Sequence, residues 1–460
     1  MSNAIVTVNV STTSAPLPNM LQQMGAFISQ GGTTQAAGTI YGPITTLADL
    51  TSILSTSKAL STLAWSASPN IVTGTTSSPH GWTIGDTVQI VIAGATPTGY
   101  NGTYAGTVTG TSTFTYPLAS NPGSETVPGT VILADESELL TMGTTYFAQS
   151  SVVGVYVLEL GETTVAEGVT ALSAWVTANP NTIYSFLVPR EWDAVSSYVA
   201  FLGNHTAPNA KQYFFTTTTV ANRNVYAALK STLTQVEAPT IAATEFSLAS
   251  DFAVTLAQRP SSTQRVTPLS YSYVYGVTAY PAAGNNATFT ELNTANVGWI
   301  GTGAEGGISN TIIFYGQMAD GNPWNYWYSA DWIQINMDLA LANEVINGSN
   351  NSQAPLYYDQ SGVDRLQNRA IQVLNQAITN GLANGTVLPT KLSAIQFAAN
   401  YNAGLYVGYL AINAEPFILN QQENPTNYAQ GVYNGLSCVY TPSRGFKQII
   451  FNVNITNLIA

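Results

Sequence analysis

Apolar and polar positions along the chain alternate with two different periods, and the switches between them mark its organisation. Residues 4–10 alternate Ile and Val with Thr and Asn, the period of a half-buried strand, before Pro16 and Pro18 interrupt a Ser/Thr-rich run. The far end repeats the scheme: Ile449, Phe451, Val453 and Ile455 stand two apart after Pro442 and Gly445. Ile5, Val6, Val8 and Val10 therefore carry the first terminal strand, and the four C-terminal residues carry the second. Pattern alone leaves two options open. The two strands can pair within one molecule, or each can be donated to a neighbour's sheet, since main-chain hydrogen bonds do not discriminate between chains.

Between these ends the period changes several times. Thr46-Leu47-Ala48-Asp49 reads as a capping box, with Leu47, Leu50, Ile53 and Leu54 on one helical face. From residue 66 to 134 the chain is nearly all Thr, Ser, Gly, Pro and Val. Short alternating runs such as Thr87–Ile92 and Thr113–Tyr116 are divided by Gly85-Asp86 and Asn101-Gly102. This predicts an inserted all-β module. Buried-looking strands at Val152–Leu160 and Ile183–Val188 then alternate with helix patterns, including one around Val165–Ala178, before Tyr213–Thr216, as in an α/β unit. Residues 265–315 read as β-rich. After Pro355-Leu356-Tyr357-Tyr358 comes the clearest helix, with Ser361 and Asp364 as its capping pair and Leu366, Ala370, Val373, Leu374, Ala377 and Ile378 as its apolar stripe; Gly381 and Gly385 close it.

The expected division is 1–20 N-terminal arm, 21–65 start of the core, 66–134 inserted module, 135–262 α/β subdomain, 263–440 C-terminal core and 441–460 C-terminal arm. The expected fold class is thus a multidomain α+β and α/β protein with a mixed sheet, an all-β insert and extended terminal strands.

Composition narrows the function. Charged residues make up 8% of the 460, against about 25% in an average soluble domain. Thr, Ser, Asn, Gln and Gly take their place beside 25 Tyr and 8 Trp. Interfaces are depleted in charge and enriched in Tyr and Trp, so this balance favours a chain whose surface is covered by copies of itself. The net charge of −12 and the absence of any Lys/Arg run argue against nucleic-acid binding. No run of eighteen apolar residues is present to cross a membrane. Met1–Val10 lacks the basic and long apolar regions of a signal peptide, so assembly in the cytoplasm of the producing cell is expected.

Catalytic parts are scarce. His80, His205 and Cys438 show no metal-ligand spacing, and no Gly-x-Ser-x-Gly elbow or Gly-x-x-x-x-Gly-Lys-Ser/Thr loop occurs. Glu136 and Glu138 read as a solvated turn at the module boundary. Gly301-Thr302-Gly303-Ala304-Glu305-Gly306 fits the dinucleotide fingerprint, but Ile308–Tyr315 after it looks like a strand where a helix is required. No cofactor, metal or enzymatic activity is expected. Arg365 and Arg369, one turn apart beside Gln372 and Gln376, form a polar stripe able to grip a partner's carboxylates or to pair within the chain.

With these residues in place, the chain resembles contractile bacteriophage tail sheath proteins, in a branch known chiefly as sheath-like proteins of uncharacterised families. The resemblance is carried by Tyr41–Leu50, Tyr146–Ser150, Val155–Gly161, Ala319-Asp320-Gly321 leading to Asp331–Gln334, and Gly362–Gln367. The insert, with Pro79–Asp86, Tyr100-Asn101-Gly102 and Ser112–Tyr116, resembles a small β-module scattered through phage tail and fibre proteins.

The resemblance implies hexameric rings stacked around a tail tube in the virion. Terminal strands would be exchanged between subunits, and contraction would need no nucleotide. The implied partners are further copies of the chain, the tube protein, and the baseplate and tail terminator proteins. Arg365 and Arg369 are then the candidate tube contact. A receptor-binding or fibre-associated tail protein is the alternative.

Overall fold

The structure, a computed structural model, describes residues 21–54, 57–150, 152–205, 210–239, 244–261, 263–303 and 310–447. The terminal strand patterns, with Ile5, Val6, Val8, Val10, Ile449, Phe451, Val453 and Ile455, lie outside these residues.

The chain opens with β1 (Gly25–Ser29), β2 (Ile40–Ile44) and the short helix α1 (Leu47–Thr51). The capping box on α1 forms as its sequence predicts. Thr46 Oγ1 accepts the Asp49 amide at 3.1 Å, and Asp49 Oδ2 accepts the Thr46 amide at 3.0 Å. Then comes the insert: β3 (Lys58–Ala67), β4 (Asn70–Thr76), β5 (Thr87–Ala93), β6 (Gly102–Val108), β7 (Thr113–Pro117) and β8 (Thr130–Leu133). These close into an antiparallel barrel, ordered β3-β4-β7-β6-β5-β8. Its core is its own, built on Leu60, Leu63, Val72, Ile90, Phe114 and Tyr116.

The barrel begins at Lys58, so the expected boundary at 66 falls inside its first strand. A register shift between Leu60 and Thr62 puts the buried Leu60 and Leu63 three residues apart. Such an irregularity hides the two-residue period that marks a strand.

The chain then re-enters the first unit through α2 (Ala134–Phe147), β9 (Val155–Glu159), α3 (Val165–Ala178), β10 (Ser185–Leu187), α4 (Ser196–Asn204), β11 (Tyr213–Thr218), β12 (Thr232–Val236) and α5 (Leu248–Leu256). The sheet runs β12-β11-β10-β1-β9-β2, parallel except for β2. Strands buried on both faces form because side chains alternate between two apolar layers. Phe27, Val157, Leu187 and Phe215 face α2 and α5, which contribute Leu139, Met142 and Phe252. Ala26, Ile28, Phe186 and Phe214 face the other way, toward Leu172 and Val176 of α3 and Phe201 and Leu202 of α4.

Residues 265–315 correct the β-rich expectation. The described residues of this stretch hold α6 (Asn286–Thr294) and one hairpin, β13 (Trp299–Thr302) with β14 (Thr311–Phe314), and are otherwise irregular. Tyr271, Tyr273 and Tyr275 alternate as a strand would, but Tyr271 takes φ +66° and only an isolated bridge, Tyr273 to Ile312, forms. The fingerprint glycines Gly301 and Gly303 start on the hairpin, whose second strand stands where a phosphate-binding helix would be required.

Then comes the longest helix, α7 (Trp324–Asn350), which the sequence reading did not single out. Its first ten residues are buried nearly all round, Trp324, Trp327, Tyr328, Asp331, Trp332 and Ile333 included, whereas in its second half only Ala340 and Gly348 are buried. No single stripe therefore runs its length. Asp331 docks this helix on the sheet, accepting hydrogen bonds from Tyr213 Oη at 2.7 Å and Tyr184 Oη at 3.0 Å.

α8 (Gln360–Thr379) follows, then β15 (Ala383–Asn384), β16 (Thr386–Thr390), α9 (Ala394–Asn402), β17 (Tyr409–Ala414), α10 (Phe417–Glu423), α11 (Pro425–Ala429), β18 (Leu436–Val439) and β19 (Thr441–Pro442). The predicted stripe holds: Ala370, Val373, Leu374 and Ala377 are buried. The cap does not. Asp359 Oδ1 accepts the Gly362 amide at 2.9 Å, so the helix starts before the Ser361/Asp364 pair, and Asp364 instead binds Lys391 Nζ at 2.8 Å. Gly381, at φ +75°, ends the helix as expected. α8 lies on a three-stranded sheet, β16-β17-β18, where Gln367 Nε2 donates to the carbonyls of Thr390 and Ile412, each at 3.0 Å. Among the described residues no helix is long and apolar enough to cross a membrane.

Candidate functional site

Two regions gather chemistry or surface, and they differ in kind. The first lies at the carboxyl ends of the parallel strands. Arg190, just after β10, donates to Glu138 Oε1 from its amide at 3.2 Å and from Nη1 at 3.1 Å. Its Nε meets Glu237, its Nη2 meets the Glu245 carbonyl, and its guanidinium stands 4.1 Å from the Phe246 ring centroid. Glu159 at the end of β9 accepts from Ser29 Oγ (2.8 Å), Thr33 N (3.0 Å) and Gly161 N (2.7 Å).

Asp135 and Glu136 on the first turn of α2 and Glu138 just after it, with Glu191 beside Arg190, complete the ring. The sequence reading placed Glu136 and Glu138 on a solvated turn. The structure buries Glu136 and leaves Glu138 only partly exposed, because the barrel ends directly into α2 and α2 packs across the sheet. Burial, with Glu191 and Glu138 nearby, pushes the Asp135 carboxyl up to about 8. Burial outweighs Arg190 at Glu138 and pushes it up to about 7. These carboxylates stitch loops together. The gap between Gln30, Asp135, Glu138 and Pro189 has no volume for a water molecule.

The remaining catalytic residue types are dispersed. His80 sits in the barrel, stacked 4.4 Å from Trp82, with Nδ1 accepting the Trp82 amide at 3.1 Å. His205 caps α4 between the rings of Phe201 and Phe214. Cys438 is exposed on β18. Among the described residues no group of three His, Cys, Asp or Glu is placed to hold a metal ion.

The second region is the surface of the C-terminal unit. Of the nineteen large apolar side chains exposed among the described residues, thirteen lie at or beyond Val345. Val407 (81%), Ile395 (77%), Phe446 (76%) and Tyr357 (66%) are the most open. Among the described residues, the three-stranded sheet there has β16 and β18 as edges, each paired on one side only. Uncovered apolar side chains beside open strand edges make a surface suited to association.

Arg365 and Arg369 belong to this unit. Arg365 Nε binds Glu344 of α7 at 2.5 Å and its Nη1 donates to the Ala354 carbonyl at 2.8 Å. Arg369 Nη1 donates to Gln372 Oε1 at 2.7 Å, while its Nε has no hydrogen-bond partner. Of the two options the sequence left open, Arg365 takes the intrachain pair. Arg369, by contrast, takes part in no ion pair among the described residues. The open C-terminal surface escaped the sequence reading because its apolar residues are scattered over α9, the following turn and α10, with no common period. When the chain is compared with known proteins, no family model matches it and no curated protein matches it.

Proposed function

We propose that this chain is a structural, self-assembling subunit that polymerises as stacked rings around a phage tail tube and contracts to drive that tube through a host envelope. The observation that carries the self-assembly half is the concentration of uncovered apolar side chains and open strand edges on the C-terminal unit. A surface of that kind is ordinarily covered in the working protein. The tail-sheath half rests on the resemblance of the quoted runs. Two of these, Tyr41–Leu50 and Val155–Gly161, are paired neighbours in the sheet, Tyr41 facing Val157 and Ile44 facing Val155.

In this reading β16 and β18 are the edges to which strands from neighbouring copies add, residues 4–10 and 449–455 being the strands donated. The links persist while rings slide from an extended to a shorter, wider lattice, and the free energy comes from new contacts between subunits. The barrel, with its own core, decorates the outside. Arg369 is the better candidate of the two arginines for a tube contact, because Arg365 is already engaged.

Negative-stain electron microscopy of the purified protein over a range of concentrations tests the proposal. Hollow tubes or stacked rings with six-fold end views are expected. Closed trimers or monomers at every concentration would overturn it and favour the receptor-binding alternative, because a contact whose rotation closes stops at an oligomer.

A further inference from the structure

A cleft of about 220 Å³ lies where the chain reaches its last described residues, lined by Leu269, Tyr315, Gln317, Asn325, Arg444 and Lys447 among others. The segment that closes it is firmly held. Asn325 Nδ2 donates to the Ser443 carbonyl at 2.7 Å, and Tyr271 Oη donates to the Lys447 carbonyl. Arg444 stands 5.7 Å from the Tyr326 ring centroid and Lys447 4.9 Å from that of Tyr315. Tyr271 and Tyr315 hold φ at +66° and +53°, a conformation that large side chains adopt only at a cost the surroundings must offset. Lys447 Nζ also donates to Gln317 Oε1 at 3.3 Å.

Two cations thus share one cleft in a chain that has twelve in all and 24 acids. Five ion pairs form among the described residues, and neither Arg444 nor Lys447 takes part in any. Asp320, the acid nearest the cleft in sequence, is consumed in its own loop by the Asn322 amide (2.9 Å), Asn322 Nδ2 (2.9 Å) and Trp327 Nε1 (2.9 Å). Residues 448–460 contain no Asp or Glu at all. Aromatic faces hold the two cations in place while their charge stays uncompensated, and a carboxylate entering the cleft would complete both.

We propose that the Arg444–Lys447 cleft is a binding site for a carboxylate side chain of a second copy of this chain. A surface with excess acid, on a protein of net charge −12, supplies the ligand, and the cleft supplies the scarce counter-charge. The proposal rests on the self-association reading but does not require tubes. Desolvation already lowers the pKa of the Lys447 ammonium, which a bound carboxylate would reverse.

The test mixes ¹⁵N-labelled and unlabelled protein, lets them associate, and treats the mixture with a water-soluble carbodiimide, which joins an amine to a touching carboxylate as an amide. Mass spectrometry should find Lys447 joined to an Asp- or Glu-containing peptide of the other isotope. Lys447→Arg should abolish that product while leaving the concentration needed for association within twofold. Arg444→Gln with Lys447→Gln should raise that concentration about fivefold or more, and rising NaCl should do the same to the wild type, since exposed ion pairs are screened.

Tubes without mixed-isotope products at Lys447 would overturn the cleft proposal alone. Closed oligomers that carry the product would keep it and overturn the tube. Monomers throughout would overturn both.

Discussion

Replacing Arg190 by Met removes the one cation at the centre of a ring of carboxylates and keeps most of its apolar volume. Glu138 and Glu237 are then left facing one another, with side-chain exposures of only 15% and 7%. Breaking one partner out of a buried ion pair costs about 3–5 kcal/mol. For a unit of 150–250 residues each kcal/mol moves Tm by about 2–4 °C, so the expected loss is on the order of 10 °C at pH 8.

The loss should shrink as pH falls. Even beside Arg190, Glu138 is pushed up to about 7 and Asp135 to about 8, above their values in an unfolded chain. A raised carboxyl pKa means that the folded state binds more protons. Its contribution is complete below the unfolded pKa near 4 and is lost as pH rises through 7 to 8. Wild-type stability should therefore fall between about pH 5 and pH 8. In the variant, Glu138 can protonate in place of being paired, so the penalty is smaller at pH 5.5. Thermal melts of both proteins at pH 5.5 and 8, followed by circular dichroism, decide the matter. A variant that melts within about 1 °C of wild type at pH 8, or one whose penalty is the same at both pH values, would refute the reasoning.

Other consequences are open to direct measurement. Residues 57–134 expressed alone should unfold cooperatively, and Phe114→Ala should lower the barrel's own stability by about 3–5 kcal/mol without moving the transition of the rest; a single transition for the whole chain would contradict this. Asp359→Ala should destabilise α8 by about 1 kcal/mol in denaturant melts, whereas Ser361→Ala should change little, the reverse of what the Ser361/Asp364 spacing implies. Arg369→Glu should weaken recruitment to purified tube protein in a pull-down while leaving Tm within about 1 °C; equal recruitment would remove Arg369 from the tube contact.

What the sequence disclosed depended on whether neighbours along the chain were also neighbours in space. The helix at Val165–Ala178 matches α3 residue for residue, and the apolar stripe of α8 was visible because each has a single buried face. α7 was missed for the opposite reason: its first turns are buried all round by residues far away in sequence, and its second half is mostly uncovered. The first barrel strand was masked by its irregular register. The Arg190 centre was invisible because its members come from four separate segments, and Glu136 and Glu138 look solvated until α2 is laid across the sheet. The open C-terminal surface and the Arg444–Lys447 cleft likewise exist only after folding brings 268–271, 315–325 and 443–447 together.

At 27 residues, α7 is about 40 Å long, and its two ends belong to different neighbourhoods. One end is locked among the sheet's tyrosines through Asp331, and the other is tied to α8 by Glu344 and Arg365. A helix held so behaves as a stiff lever with its fulcrum in the α/β unit. A few degrees of rotation at the buried end become a displacement of about 2–3 Å at the far end. Motion imposed at one end is thus delivered to the other along one continuous rod.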